Sequence, residues 1–350
     1  MASSLSVIRS QAPAKCGICE TDRPIKWKCI DCSNILCNHC QKKVHPELKN
    51  TENHQVVNIK DVGQPTVVEL NINKQYQTEL SAIYNMSYCH DDSLWISSGP
   101  DKVLQRVKPE GTKLNILSSF NTKVYSIAVT QSNNLLLSTW NSRLKQISNT
   151  GTLTDTVYHV SPFIPIAVHI TSDNKVLVRG VNSDYPKQGR TVVILMNQNG
   201  DHERAYEHDQ HKQPIFTDPW SITRTCHENI HVVDRVSDDR RRVVVLGQDG
   251  DIINIYTGDT EINKDRQFYP TDIVTTPRDN VIVTDMKTCT LHILNNAGLL
   301  ITYYKTRDIN IIFPWSLAFS PTGQLYIGCS TSKSSTTKDA KIYEVTISGC

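Results

Sequence analysis

The stretch VLQRVKPEG, residues 103–111, recurs in altered form five more times along the chain, and this repeat decides the fold. Each copy ends in a glycine, and successive glycines are 40, 49, 50, 48 and 51 residues apart. The residues seven and four positions before each glycine are apolar, and polar residues then mark a tight turn. The other copies are RLKQISNTG (143–151), VVILMNQNG (192–200), VVVLGQDG (243–250), TLHILNNAG (290–298) and KIYEVTISG (341–349).

A second shared element lies upstream of each glycine. There an apolar strand runs into a short polar turn and then into another apolar strand, as in SIAVTQSNNLLLS, residues 126–138. The turn pairs are rich in Asp, Asn and Gly, which accept a positive φ and join antiparallel strands. These pairs are Asp91-Asp92, Asn133-Asn134, Asp173-Asn174, Glu228-Asn229, Asp279-Asn280 and Thr322-Gly323.

Four short strands per copy, at periods of 40–50 residues, are typical of propeller blades. The sequence therefore predicts a mainly β protein in which residues 79–350 form a six-bladed β-propeller. The last copy reaches its glycine at residue 349, so its outer strand is missing at that end. Folded proteins avoid unpaired strand edges, and we expect residues 64–74, in a linker of residues 59–78, to close the ring.

The first sixty residues carry a different signal, three C-x-x-C pairs followed by two histidines. Two thiolates of a C-x-x-C turn reach one ion, and structural Zn²⁺ takes four such ligands with no open position. Eight ligands complete two structural Zn²⁺ ions, which predicts a zinc module at residues 13–58, after a disordered segment at 1–12. The eight candidate ligands are Cys16, Cys19, Cys29, Cys32, Cys37, Cys40, His45 and His54.

Composition excludes few functions. A net charge of +2 gives no global attraction to nucleic acid or membrane, and no apolar run is long enough to span a bilayer. The N-terminus has no secretory signal, and six of the eleven cysteines have zinc spacing, which favours a reducing cytoplasmic or nuclear location. Of the others, Cys350 aside, we expect buried free thiols beside strands. These four are Cys89, Cys226, Cys289 and Cys329.

The N-terminal spacing, C-x2-C-x9-C-x2-C-x4-C-x2-C-x4-H-x8-H, closely resembles the first-type B-box of the tripartite-motif (TRIM) family over residues 16–54. In that family the two zinc sites interleave. The resemblance implies one site at Cys16, Cys19, Cys37 and Cys40, and a second at Cys29, Cys32, His45 and His54. A sequential pairing of the first two C-x-x-C motifs also satisfies zinc chemistry, so the spacing alone leaves the pairing open.

The repeats resemble the NHL-type six-bladed propeller, and proteins joining a B-box to such a propeller form a branch of the same family. Only fifteen residues precede Cys16, too few for a RING finger, which in that family recruits a ubiquitin-conjugating enzyme. The linker carries no sustained heptads, so a coiled-coil dimer is not expected and the oligomeric state stays open. The resemblance implies a role in a ubiquitin-linked pathway.

Four tryptophans at related places in the repeats predict either packing between blades or an aromatic patch at one mouth of the propeller. They are Trp95, Trp140, Trp220 and Trp315. Packing is the simpler interpretation. In the zinc module, His39 lies inside the last C-x-x-C pair and is an alternative ligand, or else a solvent-facing residue.

Basic residues offer a candidate surface for single-stranded RNA, with a self-paired solvated loop as the simpler interpretation. They are Arg240, Arg241, Arg242, Lys102, Arg106, Arg143 and Lys145. Calcium-dependent lactonases of this fold need convergent acidic residues in the central channel. Asp218, Asp272 and Asp285 lie near inner strands but show no repeated placement. The polar loop Ser330–Asp339 is a candidate for phosphorylation, although serine-rich loops are common and do not require a function.

The sequence is best interpreted as a zinc-binding interaction adaptor whose propeller recognises a protein partner, since a propeller is a rigid platform with variable loops. Two alternatives stay open: an RNA-binding post-transcriptional regulator, and a ubiquitin-protein ligase acting through the B-box. No Ser/His/Asp signature, phosphate loop or dinucleotide fingerprint points to an enzyme.

Overall fold

The structure is a computed structural model, and it describes residues 16–19, 21, 23–29, 34–48, 54, 56–58, 69–182, 189–331 and 338–348. The chain divides into two compact units, residues 1–65 and 66–350. The predictions of a disordered segment at 1–12, of Cys32 as a ligand and of residues 332–337 as a loop fall outside the described residues. The described helices include none with the length and apolarity that a membrane crossing requires.

The first unit contains a small antiparallel sheet with strand order β2-β1-β3. Two short helical turns follow the second strand, and they carry the candidate zinc ligands Cys40 and His45. The strands are β1 (Ile25–Cys29), β2 (Ile35–Cys37) and β3 (Val56–Asn58), and the helical turns are a π-turn (Cys40–Val44) and a 3-10 turn (His45–Glu47).

The second unit contains six four-stranded antiparallel sheets, which are the six predicted blades. Blade 1 comprises β5 (Asn85–Tyr88), β6 (Leu94–Ser98), β7 (Val103–Glu110) and β8 (Lys113–Asn121). Blade 2 comprises β9 (Ser126–Val129), β10 (Leu135–Ser138), β11 (Arg143–Ile147) and β12 (Leu153–His159). Blade 3 comprises β13 (Ile164–Ile170), β14 (Val176–Val181), β15 (Thr191–Met196) and β16 (His202–Tyr206). Blade 4 comprises β17 (Pro219–Arg224), β18 (Ile230–Arg235), β19 (Arg241–Leu246) and β20 (Ile252–Tyr256). Blade 5 comprises β21 (Pro270–Thr275), β22 (Val281–Asp285), β23 (Thr290–Leu294) and β24 (Leu300–Lys305). A short helical turn, Thr306–Ile309, leads to blade 6.

Blade 6 is completed by a strand from the start of the second unit. Its own strands are β25 (Pro314–Phe319), β26 (Gln324–Cys329) and β27 (Lys341–Ser348), and its outer strand is β4 (Glu69–Gln77). β4 pairs antiparallel with β27 from Lys341↔Gln77 to Ser348↔Glu69. The predicted closing segment overlaps β4 at residues 69–74, and residues 64–68 lie outside the described part.

The apolar pair before each repeat glycine explains how the blades pack. Leu104 and Val107 are three residues apart in β7, so their side chains point to opposite faces of the sheet. Leu104 packs in the core between blades 1 and 2, and Val107 packs between blades 6 and 1. All twelve residues of the six pairs are at most 1% exposed. The remaining pairs are Leu144/Ile147, Val193/Met196, Val243/Leu246, Leu291/Leu294 and Ile342/Val345.

The turns follow the predicted chemistry. One residue of each polar turn pair has a positive φ, from 62° at Asn133 to 84° at Gly323. Each turn is closed by a bond such as Asn133 N–H to the carbonyl of Thr130, at 2.9 Å. The repeat glycines that the structure describes also have a positive φ, which a residue with a Cβ adopts at a cost. They are Gly111, Gly151, Gly200, Gly250 and Gly298.

Successive strands of a blade run in opposite directions, so the connections alternate between two faces of the propeller. The face where the innermost strands β5, β9, β13, β17, β21 and β25 begin is termed the upper face. The face where they end, which carries the polar turn pairs and the repeat glycines, is termed the lower face.

Candidate functional site

Four cysteines of the first unit lie close together. The sulfurs of Cys16, Cys19, Cys37 and Cys40 are all within 4.8 Å of one another. β2 ends at Cys37, and the π-turn begins at Cys40. Cys16 and Cys19 lie at a turn that precedes β1. The N–H of Cys37 donates to the sulfur of Cys16 at 3.4 Å, so the backbone already stabilises negative charge on that sulfur.

This group fits a tetrahedral zinc ion. With Zn–S bonds of about 2.3 Å, the sulfurs of such a site lie about 3.8 Å apart. The sulfurs of Cys19 and Cys37 are 3.9 Å apart. Four thiolates fill the coordination sphere, so an ion held here supplies structural stability and has no position for water or substrate.

The second group contains Cys29, His45 and His54, whose ligand atoms are also within 4.8 Å of one another. The sulfur of Cys29 is 3.4 Å from Nδ1 of His54. The fourth predicted ligand, Cys32, lies outside the described residues. Cys16 and Cys37 thus belong to one group, as the interleaved pairing requires, and Cys29 belongs to the other.

Little besides these ligands forms the core of the first unit. Among the described residues of this unit, the buried apolar cluster consists of Cys16, Cys29, Leu36, Cys37 and Cys40, with one aliphatic side chain among four cysteines, and His45 is also buried. So small an apolar core contributes little stability, and bound metal is then part of the folding free energy. His39 is exposed and does not belong to either group, as expected for a solvent-facing residue.

The innermost strands of the six blades surround a central channel of about 510 Å³. Of the three acidic candidates, Asp272, which is half-buried on β21, lines this channel. Asp272 accepts hydrogen bonds from the hydroxyl of Ser221 at 2.6 Å and from the N–H of Leu317 at 2.8 Å. Burial raises the pKa of Asp272 to about 6, and those hydrogen bonds oppose the rise. The carboxyl therefore joins blades 4, 5 and 6.

The other two acidic candidates are engaged away from Asp272. Asp218 forms ion pairs with Arg179 and Arg235. Asp285 accepts from the side-chain amide of Asn263 at 2.7 Å. Within the described part of the chain, the groups of Cys, His, Asp and Glu that could hold a metal include none of the three. The geometry gives the channel no convergent acidic site.

Aromatic side chains line the upper mouth of the channel, and we term them the aromatic collar: Tyr84, Tyr125, Trp220 and Trp315. The rings of Tyr84 and Trp315 are stacked with centroids 4.4 Å apart. Trp220 and Trp315 each occupy the second position of an innermost strand, after a proline, as predicted. Trp95 instead is 2% exposed and packs in the core between blades 1 and 2.

Trp140 extends the aromatic collar outward. Its ring centroid is 5.3 Å from that of Tyr125, and the residue is 43% exposed. Its φ of 61° lies in the left-handed region, which is a genuine outlier for a bulky side chain. Such strain is tolerated where the surrounding structure enforces it, and it concentrates at functional sites.

Most of the predicted basic surface is neutralised by acidic or carbonyl groups. Arg106 pairs with Asp91 at 2.8 Å, and Lys145 pairs with Asp155 at 2.7 Å. Burial raises the pKa of Asp91, but hydrogen bonds from Ser93 and the charge of Arg106 outweigh this effect and lower that pKa to about 2. The remaining pairs follow the same pattern: Arg242 with Asp234, and Arg143 with the carbonyl of Thr156.

Arg241 lies beside Trp220 of the aromatic collar and is not part of an exposed basic patch. It is 6% exposed, and its guanidinium lies 3.8 Å from the ring centroid of Tyr269 and 5.4 Å from that of Trp220. It donates to the carbonyl of Pro270 at 2.8 Å. A cation held between two aromatic faces stabilises the fold and leaves no free charge for phosphate.

The expectation of buried thiols beside strands is correct for Cys89, Cys289 and Cys329 and wrong for Cys226. Cys226 is exposed because it lies in the turn between β17 and β18, on the lower face. The dipeptide Cys226-His227 in a polar turn was the sequence signal for this difference.

Comparisons with known proteins agree with this architecture. Residues 16–56 match the ANCHR-like B-box zinc-binding domain. No curated protein matches the sequence of the chain. Similar solved structures include a streptogramin B lyase, with 13% identity and a TM-score of 0.53, covering 80% of this chain and 98% of that one. The PQQ-bound aldose sugar dehydrogenase of Streptomyces coelicolor has 11% identity and a TM-score of 0.59, covering 81% and 99%.

A luciferin-regenerating enzyme is also similar, with 12% identity and a TM-score of 0.56, covering 80% of this chain and 95% of that one. At these identities the likeness shows the fold alone, and the activities in those names belong to those proteins. The B-box match and the six sheets together describe a chain with an N-terminal B-box zinc-binding domain followed by a six-bladed β-propeller.

Proposed function

We propose that this protein is an interaction adaptor, in which zinc folds the B-box and the propeller recognises a protein partner through its upper face. The strained, exposed Trp140 beside Tyr125 carries the proposal. Aromatic side chains with apolar bodies and polar edges supply much of the binding energy of protein interfaces. Backbone strain at an exposed bulky side chain concentrates at functional sites.

The B-box in this proposal holds two structural zinc ions. One is bound by Cys16, Cys19, Cys37 and Cys40, and the other by Cys29, Cys32, His45 and His54. The distances among the described sulfur and nitrogen atoms support both sites. Neither ligand set leaves a position for water, so the ions are given no catalytic role.

The proposed pathway is ubiquitin-linked, on the basis of the resemblance of the B-box to that of tripartite-motif proteins. In the adaptor role the protein positions a partner for a ligase and does not transfer ubiquitin itself. Purified protein should therefore form no ubiquitin chains with a panel of conjugating enzymes. Chain formation by the purified protein alone would replace the adaptor proposal with that of a ligase.

The test compares proximity labelling in cells by the full chain, by the Trp140→Ala variant and by the Leu299→Ala variant. Leu299 is 59% exposed on the lower face and serves as the control for loss of an apolar side chain. The adaptor proposal predicts a set of neighbours that Trp140→Ala loses and Leu299→Ala retains.

The same labelled neighbours are then captured from lysate before and after nuclease treatment. Nuclease-resistant capture is expected, because most of the basic residues that would contact phosphate are paired within the protein. Capture that depends on nucleic acid, or neighbours identical for wild type and Trp140→Ala, would contradict the proposal.

A further inference from the structure

A cysteine, a histidine and an aspartate meet on the lower face of the propeller, between blades 4 and 5. Cys226 and His227 lie in the turn between β17 and β18, and Asp279 lies in the turn between β21 and β22. Their ligand atoms are all within 4.8 Å of one another. Nδ1 of His227 is 3.5 Å from the sulfur of Cys226 and 2.5 Å from Oδ2 of Asp279.

The position of Asp279 comes from a bond between neighbouring blades that also occurs elsewhere in the ring. Between blades 1 and 2, the N–H of His90 donates to Oδ1 of Asn133 at 3.0 Å. Between blades 4 and 5, the N–H of Cys226 donates to Oδ1 of Asp279 at 2.6 Å. Asn133 and Asp279 are both the turn residue with a positive φ. An amide side chain therefore suffices for this bond.

At the blade 4–5 junction the amide is replaced by a carboxylate, whose second oxygen approaches His227. That substitution adds an anionic oxygen ligand beside a thiol and an imidazole. Both the sulfur and the carboxylate lie on the Nδ1 side of the ring, so the three ligand atoms converge on one point. This geometry differs from a nucleophilic triad, in which the base contacts its two partners through different ring nitrogens.

We propose that Cys226, His227 and Asp279 form a third metal site, which binds a divalent transition ion of the zinc class. A tetrahedral zinc ion with the usual bond lengths holds sulfur and nitrogen ligands about 3.6 Å apart, close to the distance between Cys226 and His227. Nitrogen and oxygen ligands lie about 3.3 Å apart in such a site. The ion therefore replaces the proton between His227 and Asp279 and separates them by less than about 1 Å.

Access and charge favour this site. Cys226 is exposed, so the ion exchanges with solvent. Three protein ligands leave a fourth position for water or for an external donor group, unlike the closed sets of the B-box. The neighbouring carboxylate of Glu228 is paired with Arg224 at 2.7 Å and is not needed as a ligand.

The test uses the full chain, saturated with Zn²⁺ and then freed of loose metal by gel filtration. Zinc per chain is measured for wild type, Cys226→Ser and Asp279→Asn. Asp279→Asn keeps an oxygen for the N–H of Cys226, as Asn133 does for His90, so the blade junction is preserved. We expect wild type to retain one equivalent of zinc more than either variant, with the B-box content unchanged.

His90→Gln is the matched control, because it alters the corresponding turn of blade 1 and should retain the wild-type zinc content. Co²⁺ supplies a second readout, since a cobalt–thiolate bond gives a charge-transfer absorption. Zinc-saturated Cys226→Ser should lack the additional absorption that Co²⁺ exchange produces in wild type. Equal zinc content in wild type and both site variants, with equal cobalt absorption and unchanged thermal unfolding, would overturn the proposal.

Discussion

Asp272 Oδ2 accepts a hydrogen bond from the backbone N–H of Leu317, which lies 45 residues later in the next blade, at 2.8 Å. Its other oxygen accepts from Ser221, in the preceding blade. Ser87 and Ser126 make the same kind of bond to the N–H of Val129 and Val168. The innermost strands are thus held together by side chains, and at one position the side chain is ionisable.

We expect this carboxyl to make stability depend on pH. Burial raises the pKa of Asp272 from 3.8 to about 6, so the folded state binds the proton more tightly than the unfolded state. The contribution of Asp272 to the free energy of unfolding is greatest below its unfolded-state pKa of 3.8. It falls as the pH rises toward the folded-state pKa of about 6. Relative to Asp272→Asn, wild type should lose on the order of 1–2 kcal/mol between pH 4 and pH 7.

Urea unfolding of both proteins at each pH measures this difference. The comparison cancels other titrating groups, such as His231, whose pKa burial lowers to about 4. A difference in unfolding free energy that is the same at both pH values would show that Asp272 does not titrate as expected.

The cores between blades predict a large effect of a buried leucine and a small effect of an exposed one. Leu104 is fully buried between blades 1 and 2, whereas Leu117, in the outer strand of blade 1, is 51% exposed. Leu104→Ala should destabilise the propeller by about 2–5 kcal/mol through lost burial and a cavity. Leu117→Ala should change it by no more than about 0.5 kcal/mol, as most surface substitutions do. Similar losses for both variants in chemical denaturation would contradict this packing.

Removal of zinc should unfold the B-box and leave the propeller folded, because the core described in the first unit consists mainly of metal ligands, whereas the described cores of the propeller are apolar. Limited proteolysis after treatment with a strong chelator should cut within residues 16–58 and spare residues 69–348. Cys37→Ser should show the same cleavage without chelator, and His39→Gln should resist it. Chelation that also melts the propeller in calorimetry would count against this division.

Trp140 allows the cost of its backbone to be separated from the contribution of its side chain. Both Trp140→Ala and Trp140→Gly remove the contact with Tyr125, but only glycine adopts a φ of 61° without strain. The Gly variant should be more stable than the Ala variant by about 1 kcal/mol. Thermal unfolding of the two variants gives the difference, and equal stabilities would mean that Trp140 carries no strain. Neither variant should retain the partner.

The repeat predicted the propeller because its signals are local: apolar pairs before each glycine and turn residues between strands. Leu104 and Val107 are buried on opposite faces of β7 since a strand has a period of two. The four-cysteine cluster was predictable for the same reason, as C-x-x-C spacing is a property of a short segment.

Contacts between blades were beyond such local reasoning. Cys226 and Asp279 are 53 residues apart, and only the rotation from one blade to the next brings their turns together. The strain at Trp140 and the pairing of Arg106 with Asp91 also depend on tertiary geometry. The basic patch therefore looked more available in the sequence than it is in the fold.

The pairing of β4 with β27 has a consequence for the order of events during synthesis. β4 leaves the ribosome early and has no permanent partner until the translation of residues 341–348 is complete. In that interval its exposed edge is open to other strands, including those of other nascent chains. Closing a loop of more than 260 residues is also slow compared with forming a hairpin. The ring is thus completed only once β27 has been made, and a chain interrupted before β27 lacks the partner strand of β4.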